Sequence, residues 1–169
     1  MLSESSRMSS AAAAQFRIDR PNSAPRAVKV IALDPPSERL VKALAERPWQ
    51  RASFLTASAF ADAAPQEPFS MGSWLADLAG RTRDLIAEVE TADLVVMVAS
   101  AGGNAAAAAL IGEACGMKNV MTTALILGYA SSSDEALSKM LSQLRPHAAM
   151  LVIASADAYI EDMLTALRA

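Results

Sequence analysis

The residues whose types and spacing best suit chemistry are Ser100-Ala101-Gly102-Gly103-Asn104. They sit between an apolar run, Leu94 to Val98, and a stretch of very small residues, Ala105 to Ala109. A strand, a glycine turn and a helix follow from that order. A helix start behind a glycine loop presents free N–H groups and the positive end of the helix dipole to one point, which suits a phosphate or carboxylate. The glycines would let a ligand reach the backbone, Ser100 or Asn104 would donate to it, and the alanines would leave the approach open. The same residues also suit a purely structural turn, with the alanines letting the helix lie close on a sheet.

The other candidate groups are weaker. The loop after the first apolar run is Asp34-Pro35-Pro36-Ser37, where nucleotide folds of this class carry a glycine-rich turn. Proline removes N–H donors, and the Asp34 carboxylate would repel a phosphate. That speaks against a dinucleotide pyrophosphate here. Asp34 reads as a helix or turn cap ahead of a cation ligand. His147, the single histidine, has no evident Ser or Asp partner and reads as a structural loop residue. Cys115 stands within a helical stretch and reads as a small buried hydrophobe, not a nucleophile. Tyr129 follows Gly128 and would lie at the ligand edge of a sheet, where it could stack on a base. Glu161 and Asp162 read as a solvated helix face. No catalytic residue and no metal-ligand set is assigned.

The elements that must position these residues alternate. Ala27 to Leu33 is a buried strand ended by Pro35-Pro36. Ser37 starts a helix carrying Leu40, Val41, Leu44 and Ala45 on one face, and Pro48 ends it. Arg51 to Thr56 is a second strand. Ala57 to Met71, with Pro65 and Pro68, is a surface excursion. Ser73 caps a long helix whose stripe is Leu75, Leu78, Ala79, Thr82, Leu85, Ile86 and Val89. The strand–loop–helix–strand unit of residues 93–127 comes next. Gly128 ends its last strand, Ser131 to Asp134 form a loop and cap, and Glu135 to Leu144 are helical. Met150 to Ala154 is a final strand and Ala158 to Leu167 a closing helix. Strand alternating with helix predicts an α/β fold, a doubly wound, mostly parallel sheet with helices on both faces, a Rossmann-like three-layer sandwich. Ligands of such sheets bind beyond the carboxyl ends of the strands, at Asp34 to Ser37, Ser100 to Asn104, Gly128 to Asp134 and Ser155 to Asp157.

Composition sets limits. The chain has 169 residues, 53% of them hydrophobic, but 37 are alanine and aromatics make up only 5%. Such a core suits helices packed closely on a sheet. A net charge of −3 and no Lys/Arg-rich run give no basis for nucleic-acid binding. One cysteine excludes an internal disulfide framework and a cysteine-based zinc site, and a cytoplasmic setting is expected. No apolar stretch reaches transmembrane length. Residues 1–26, rich in Ser and Ala, form a flexible or loosely docked tail in which Ser9 or Ser10 would cap a short helix through Phe16. Residues 27–169 form one domain.

With the elements in order, the chain resembles the nucleotide-binding domain of the FtsZ/tubulin family. Ala92 to Ala108 is similar to that family's strand and Gly/Thr-rich signature loop, and Val120 to Gly128 to its next strand. Glu135 to Ile153 is similar to its helix and a following Leu-Ile-Val-Ile strand, and Val28 to Ile31 to its first strand. The departures matter. The family's glycine-rich first loop is Asp34-Pro35-Pro36-Ser37 here. Its phosphate-contacting threonines are replaced by Asn104, Ala105 and Ala106. Its catalytic acids lie on a later loop with no counterpart in this sequence. The resemblance therefore implies a stripped relative without the family's GTP hydrolysis or filament assembly.

The sequence thus predicts a non-catalytic binding or regulatory module, with a residual nucleotide or small-anion site at Ser100 to Asn104, no identified cofactor, and a homo-oligomeric or other protein partner. The alternatives are a small-molecule binder for a nucleotide or carboxylate, and an enzyme acting on a small anion through Asp34, Ser100 and Asn104. No nucleophile–base pair supports the last.

Overall fold

A computed structural model describes residues 24–60, 75–154 and 158–169. Five strands run parallel: β1 (Val28–Ala32), β2 (Ala52–Thr56), β5 (Leu94–Ser100), β6 (Met121–Leu127) and β7 (Met150–Ala154). An antiparallel hairpin, β3 (Leu75–Asp77) and β4 (Thr82–Arg83), extends the sheet beyond β2. The full order is β4-β3-β2-β1-β5-β6-β7. Among the parallel strands the order is second, first, third, fourth, fifth, one of the two common doubly wound arrangements.

Among the described residues four α-helices lie between strands, α1 (Pro35–Ala45), α2 (Leu85–Glu90), α3 (Ala107–Lys118) and α4 (Asp134–Leu144), and α5 (Ala158–Ala166) follows β7. Val41 and Leu44 of α1 and Ile160 and Leu164 of α5 pack with Val28, Val30, Val96 and Val98 on one face. Leu85 and Val89 of α2, Ile111 and Ala114 of α3, and Met140 and Leu144 of α4 pack with Ile31, Met97 and Ile126 on the other. The expected three-layer sandwich is present. β1 and most of β5 are fully buried, as strands covered on both faces must be. No described helix is long and apolar enough to cross a membrane.

Three local expectations are corrected. The long helix from Ser73 to Val89 does not form over the described part of that stretch, which holds the β3–β4 hairpin and the short α2. Gly80 takes φ +81°, and the Asp77 carboxylate accepts the N–H groups of Ala79 at 3.0 Å and Arg81 at 2.9 Å, which closes a turn in mid-stripe. Asp84 then starts a new helix by accepting from Ala87 N at 3.1 Å. Helix α1 starts at Pro35, ahead of Ser37, because proline at the first turn loses no needed donor and its fixed φ already suits a helix. Helix α3 starts at Ala107, two residues after the expected start, behind a turn built by Asn104. The candidate cap Ser73, the prolines Pro65 and Pro68, residues 1–23 and Ser155 to Asp157 lie outside the described residues.

Candidate functional site

The connections leave neighbouring strands β1 and β5 toward opposite sides, so a crevice opens beyond their carboxyl ends. The loops expected to form a site, Asp34 to Ser37 and Ser100 to Asn104, meet there. A cavity of about 380 Å³ lies along this edge, lined by Pro36, Ser37 and Leu40 of α1, by Ser100 and Ala101, and by Leu127, Gly128 and Ser131. Ser100 and Ala101 face it. Gly102, Gly103 and Asn104 do not.

Asp34 explains that division. Its side chain is 1% exposed. Oδ1 accepts from Ser37 N at 2.8 Å, and the Ser37 hydroxyl forms the return half of a capping box on the Asp34 backbone. Oδ2 accepts from Ser100 N at 2.7 Å. One carboxylate therefore caps α1 and ties the β1 loop to the end of β5. Gly103 packs directly on it: a Cβ there would lie 2.8 Å from Asp34 Cγ and 3.0 Å from Ser100 O. The capping role expected for Asp34 is present, and the carboxylate reaches the other loop as well.

Several of the remaining N–H groups of the loop are also engaged. Ala101 N donates to Leu127 O at 2.8 Å and Gly103 N to Ser100 O at 2.8 Å. Ala106 N donates to Asn104 Oδ1 at 2.8 Å, and Ala108 N to Ala105 O at 2.9 Å. Gly102 takes φ +84°, the conformation this turn needs. The N–H donors of Ser100, Ala101, Gly103 and Ala106 are thus held by the protein, the first of them by the Asp34 carboxylate, while α3 itself starts without a side-chain cap.

Beside the crevice, at the carboxyl end of β2, Glu38 of α1 accepts hydrogen bonds from the hydroxyls of Thr56 and Ser58. Lys42 Nζ lies 2.6 Å from its other oxygen. The lysine first, then the Ser58 hydroxyl, hold the Glu38 carboxyl below the usual carboxylate range. This cluster escaped the sequence reading. Glu38 and Lys42 at helical spacing gave the only signal, and it reads as a surface pair.

His147 and Cys115 stand apart from the crevice, on a cavity of about 290 Å³ between α3 and the turn before β7. Gly112 lets these elements touch, since a Cβ there would lie 2.6 Å from His147 Cβ. Cys115 is buried, and burial pushes its thiol up to about 11. Glu161 pairs with Arg47 of the α1–β2 connection. The side chain of Tyr129 lies outside the described part of the structure. Among the described residues no cluster of three His, Cys, Asp or Glu could hold a metal ion. No protein-family model matches the chain, and no curated protein matches it.

Proposed function

We propose that the protein is a non-catalytic binding module whose ligand is a small uncharged molecule seated in the carboxyl-edge crevice between α1 and the ends of β5 and β6. One observation carries this reading. The 380 Å³ cavity lies at the switch point where such sheets bind ligands, while the buried Asp34 carboxylate already accepts from Ser37 N at the start of α1 and from Ser100 N at the end of β5. A phosphate placed at Gly103 would face that carboxylate in a site of low dielectric. Ser100 and Ala101 remain as ligand contacts, joined by Ser37 and Leu40. The hydroxyls of Ser37 and Ser131 donate to main-chain carbonyls, and the Asp34 carboxylate accepts two main-chain N–H groups, so none of the three forms a nucleophile–base pair.

The test is thermal unfolding against adenosine, guanosine, GTP, GDP, ATP, NAD and inorganic phosphate, with and without magnesium. The comparison variant is Ser131→Trp, which fills the cavity mouth from an exposed position. A ligand at a hundred times its Kd stabilises by about 2.7 kcal/mol. The expected result is stabilisation by an uncharged compound that Ser131→Trp abolishes. Stabilisation that Ser131→Trp leaves intact would refute the location. A requirement for the phosphate groups at this crevice would refute the ligand class.

A second reading, self-association, is favoured by β7. It is the outermost described strand of its side of the sheet, and Met150 and Ile153 on it and Met121 on β6 are exposed. Sedimentation velocity checks it: a dimer that Ile153→Lys dissociates supports it, and a monomer at tens of micromolar refutes it.

A further inference from the structure

A third cavity, of about 510 Å³, opens at the opposite, amino edge of the sheet. Five ionisable side chains from β1, β3, β4, the hairpin turn and α2 converge on it: Lys29, Asp77, Arg81, Arg83 and Glu88. Lys29 is buried at 9% exposure, and its Nζ lies 2.8 Å from Glu88 Oε2. Arg81 Nε donates to Asp77 Oδ2 at 2.7 Å. Arg83 is held more loosely, 3.8 Å from both Asp77 Oδ2 and Glu88 Oε1.

Among the residues that line the cavity, three cations stand against two carboxylates, and the neighbouring Asp84 carboxylate is taken up by Ala87 N at the start of α2. The imbalance is also geometric. The carboxylates are turned inward, with side chains 11% and 17% exposed, while those of Arg81 and Arg83 are 77% and 48% exposed. Asp77 Oδ1 is further occupied by the N–H groups of Ala79 and Arg81. Among the described residues, the Arg81 guanidinium donates only through Nε, and Arg83 makes no hydrogen bond, only the two longer ion pairs. Two guanidinium forks thus keep donors for a further acceptor. A guanidinium fork matches two oxygens of a carboxylate or phosphate. The space far exceeds one inorganic ion, and Phe54 and Leu78 give it apolar wall.

We propose that this amino-edge cavity is a binding site for a small organic oxyanion, its carboxylate or phosphate gripped by Arg83 and Arg81 and its apolar part against Phe54 and Leu78. The ligand supplies the further negative charge that the lining residues lack. The site is separate from the carboxyl-edge crevice and stands or falls independently of it.

The experiment is calorimetric titration of the full chain with phenyl phosphate and, separately, with benzoate. Sodium chloride at matched ionic strength is the control. The variants are Arg83→Gln, Arg39→Gln on the exposed side of α1, and Ser131→Trp at the other cavity. Expected is saturable binding of at least one probe, weakened tenfold or more by Arg83→Gln and unchanged by Arg39→Gln and Ser131→Trp. The probe that binds more tightly identifies the oxyanion. The proposal is overturned if neither probe binds saturably, if chloride at equal ionic strength reproduces the heat, or if Arg83→Gln binds as well as the parent. Circular dichroism and the unfolding temperature of Arg83→Gln establish that lost binding is not lost folding. Ser131→Trp separates the two sites: a probe displaced by that change occupies the crevice, which also overturns the assignment.

Discussion

Replacing Gly103 by alanine tests the central contact of the carboxyl edge. Gly103 does not lie in the left-handed region, so backbone strain is not the issue. In the unfolded chain the change restricts conformation, which alone would stabilise the protein by about 0.4–1 kcal/mol. Against this, the new Cβ falls within contact distance of the Asp34 carboxylate, whose Cγ would be 2.8 Å away, and 3.0 Å from Ser100 O. The carboxylate is buried and must move. Moving it breaks the bond from Ser100 N, a charge-assisted bond worth about 1.5–3 kcal/mol. It also loosens the cap on Ser37 N, worth about 0.5–2 kcal/mol. The net expectation is a loss of about 3 kcal/mol, or roughly 6–12 °C in Tm for a domain of this size. Urea unfolding measures the first and calorimetry the second.

The cause is isolated by repeating the change in Asp34→Ser, which keeps a good cap but lacks the reach to Ser100. There Gly103→Ala should cost less than about 1 kcal/mol, because the atoms it struck are gone. Gly102→Ala is the contrast. Its φ of +84° makes any side chain strained, by about 1–2 kcal/mol, but a Cβ there meets only Ala136 Cβ at 3.8 Å. Its cost should be the same with Asp or Ser at position 34. If Gly103→Ala is harmless, or costs equally in both backgrounds, the carboxylate does not hold this loop. Asp34 would then leave the Ser100 loop open to an external anion.

Two glycines one turn apart on α3 should respond with opposite signs. Gly116→Ala meets nothing within 4 Å and should stabilise by up to about 1 kcal/mol through helix propensity. Gly112→Ala drives a Cβ to 2.6 Å from His147 Cβ and 3.1 Å from its Cα, and overpacking of this kind costs about 1–3 kcal/mol; chemical denaturation of both variants checks the pair. The buried Cys115 thiol, raised to about 11, should resist a thiol reagent at pH 8 in the native protein and react at once in urea. Because the unfolded thiol ionises near 9 and the native one near 11, stability should fall between those pH values, and Cys115→Ala should lessen that fall. Glu38 titrates in the opposite sense: its native carboxyl is held low, so its contribution is present above the unfolded value near 4.5 and is lost as pH falls through the lower native value. Glu38→Gln should therefore flatten the acid limb of a stability–pH profile.

The strands were legible where burial on both faces leaves a continuous apolar run. The expected final strand, Met150 to Ala154, matches β7, and the expected first, third-last and second-last strands differ from β1, β5 and β6 by a residue or two. The hairpin was hidden by coincidence of period. Leu75, Leu85 and Val89 fall on a helical stripe and are indeed buried, but they reach the core from a strand and from a short helix. Gly80 and Asp84, a turn glycine and a cap inside the stripe, were the signals that outweighed it. At the site, the loops and their meeting were readable from strand order, because a doubly wound sheet brings them together. What was not readable was which side chain would cross the gap. Asp34 lies 66 residues from Ser100, and no local pattern announces a bond over that separation. The segment carrying the FtsZ/tubulin resemblance is a strand, loop, helix and strand, an arrangement that doubly wound sheets share generally, so the fold does not discriminate that ancestry.

A sheet of this kind creates helix starts, and each must find acceptors for its first N–H groups. A cofactor-dependent protein can leave one such start for its ligand. At the described starts of α1, α2 and α4 the chain supplies its own acceptors, whereas α3 starts without a side-chain cap. Asp34 accepts from Ser37 N, Asp84 from Ala87 N, and Ser133 from Ala136 N, while Asn104 accepts from Ala106 N just ahead of α3. Two of these acceptors are carboxylates, so the positive ends of α1 and α2 already face negative charge. An incoming anion would have to displace a bond that folding has already made, at an entropic advantage to the internal group. A neutral molecule in the crevice need displace nothing but water. The same logic inverts at the amino edge, where the residues lining the cavity around Lys29 set three cations against two carboxylates and include two partly exposed guanidinium groups. The start of α1 is filled from within by Asp34, while the exposed guanidinium groups with donors to spare lie at the other end of the sheet.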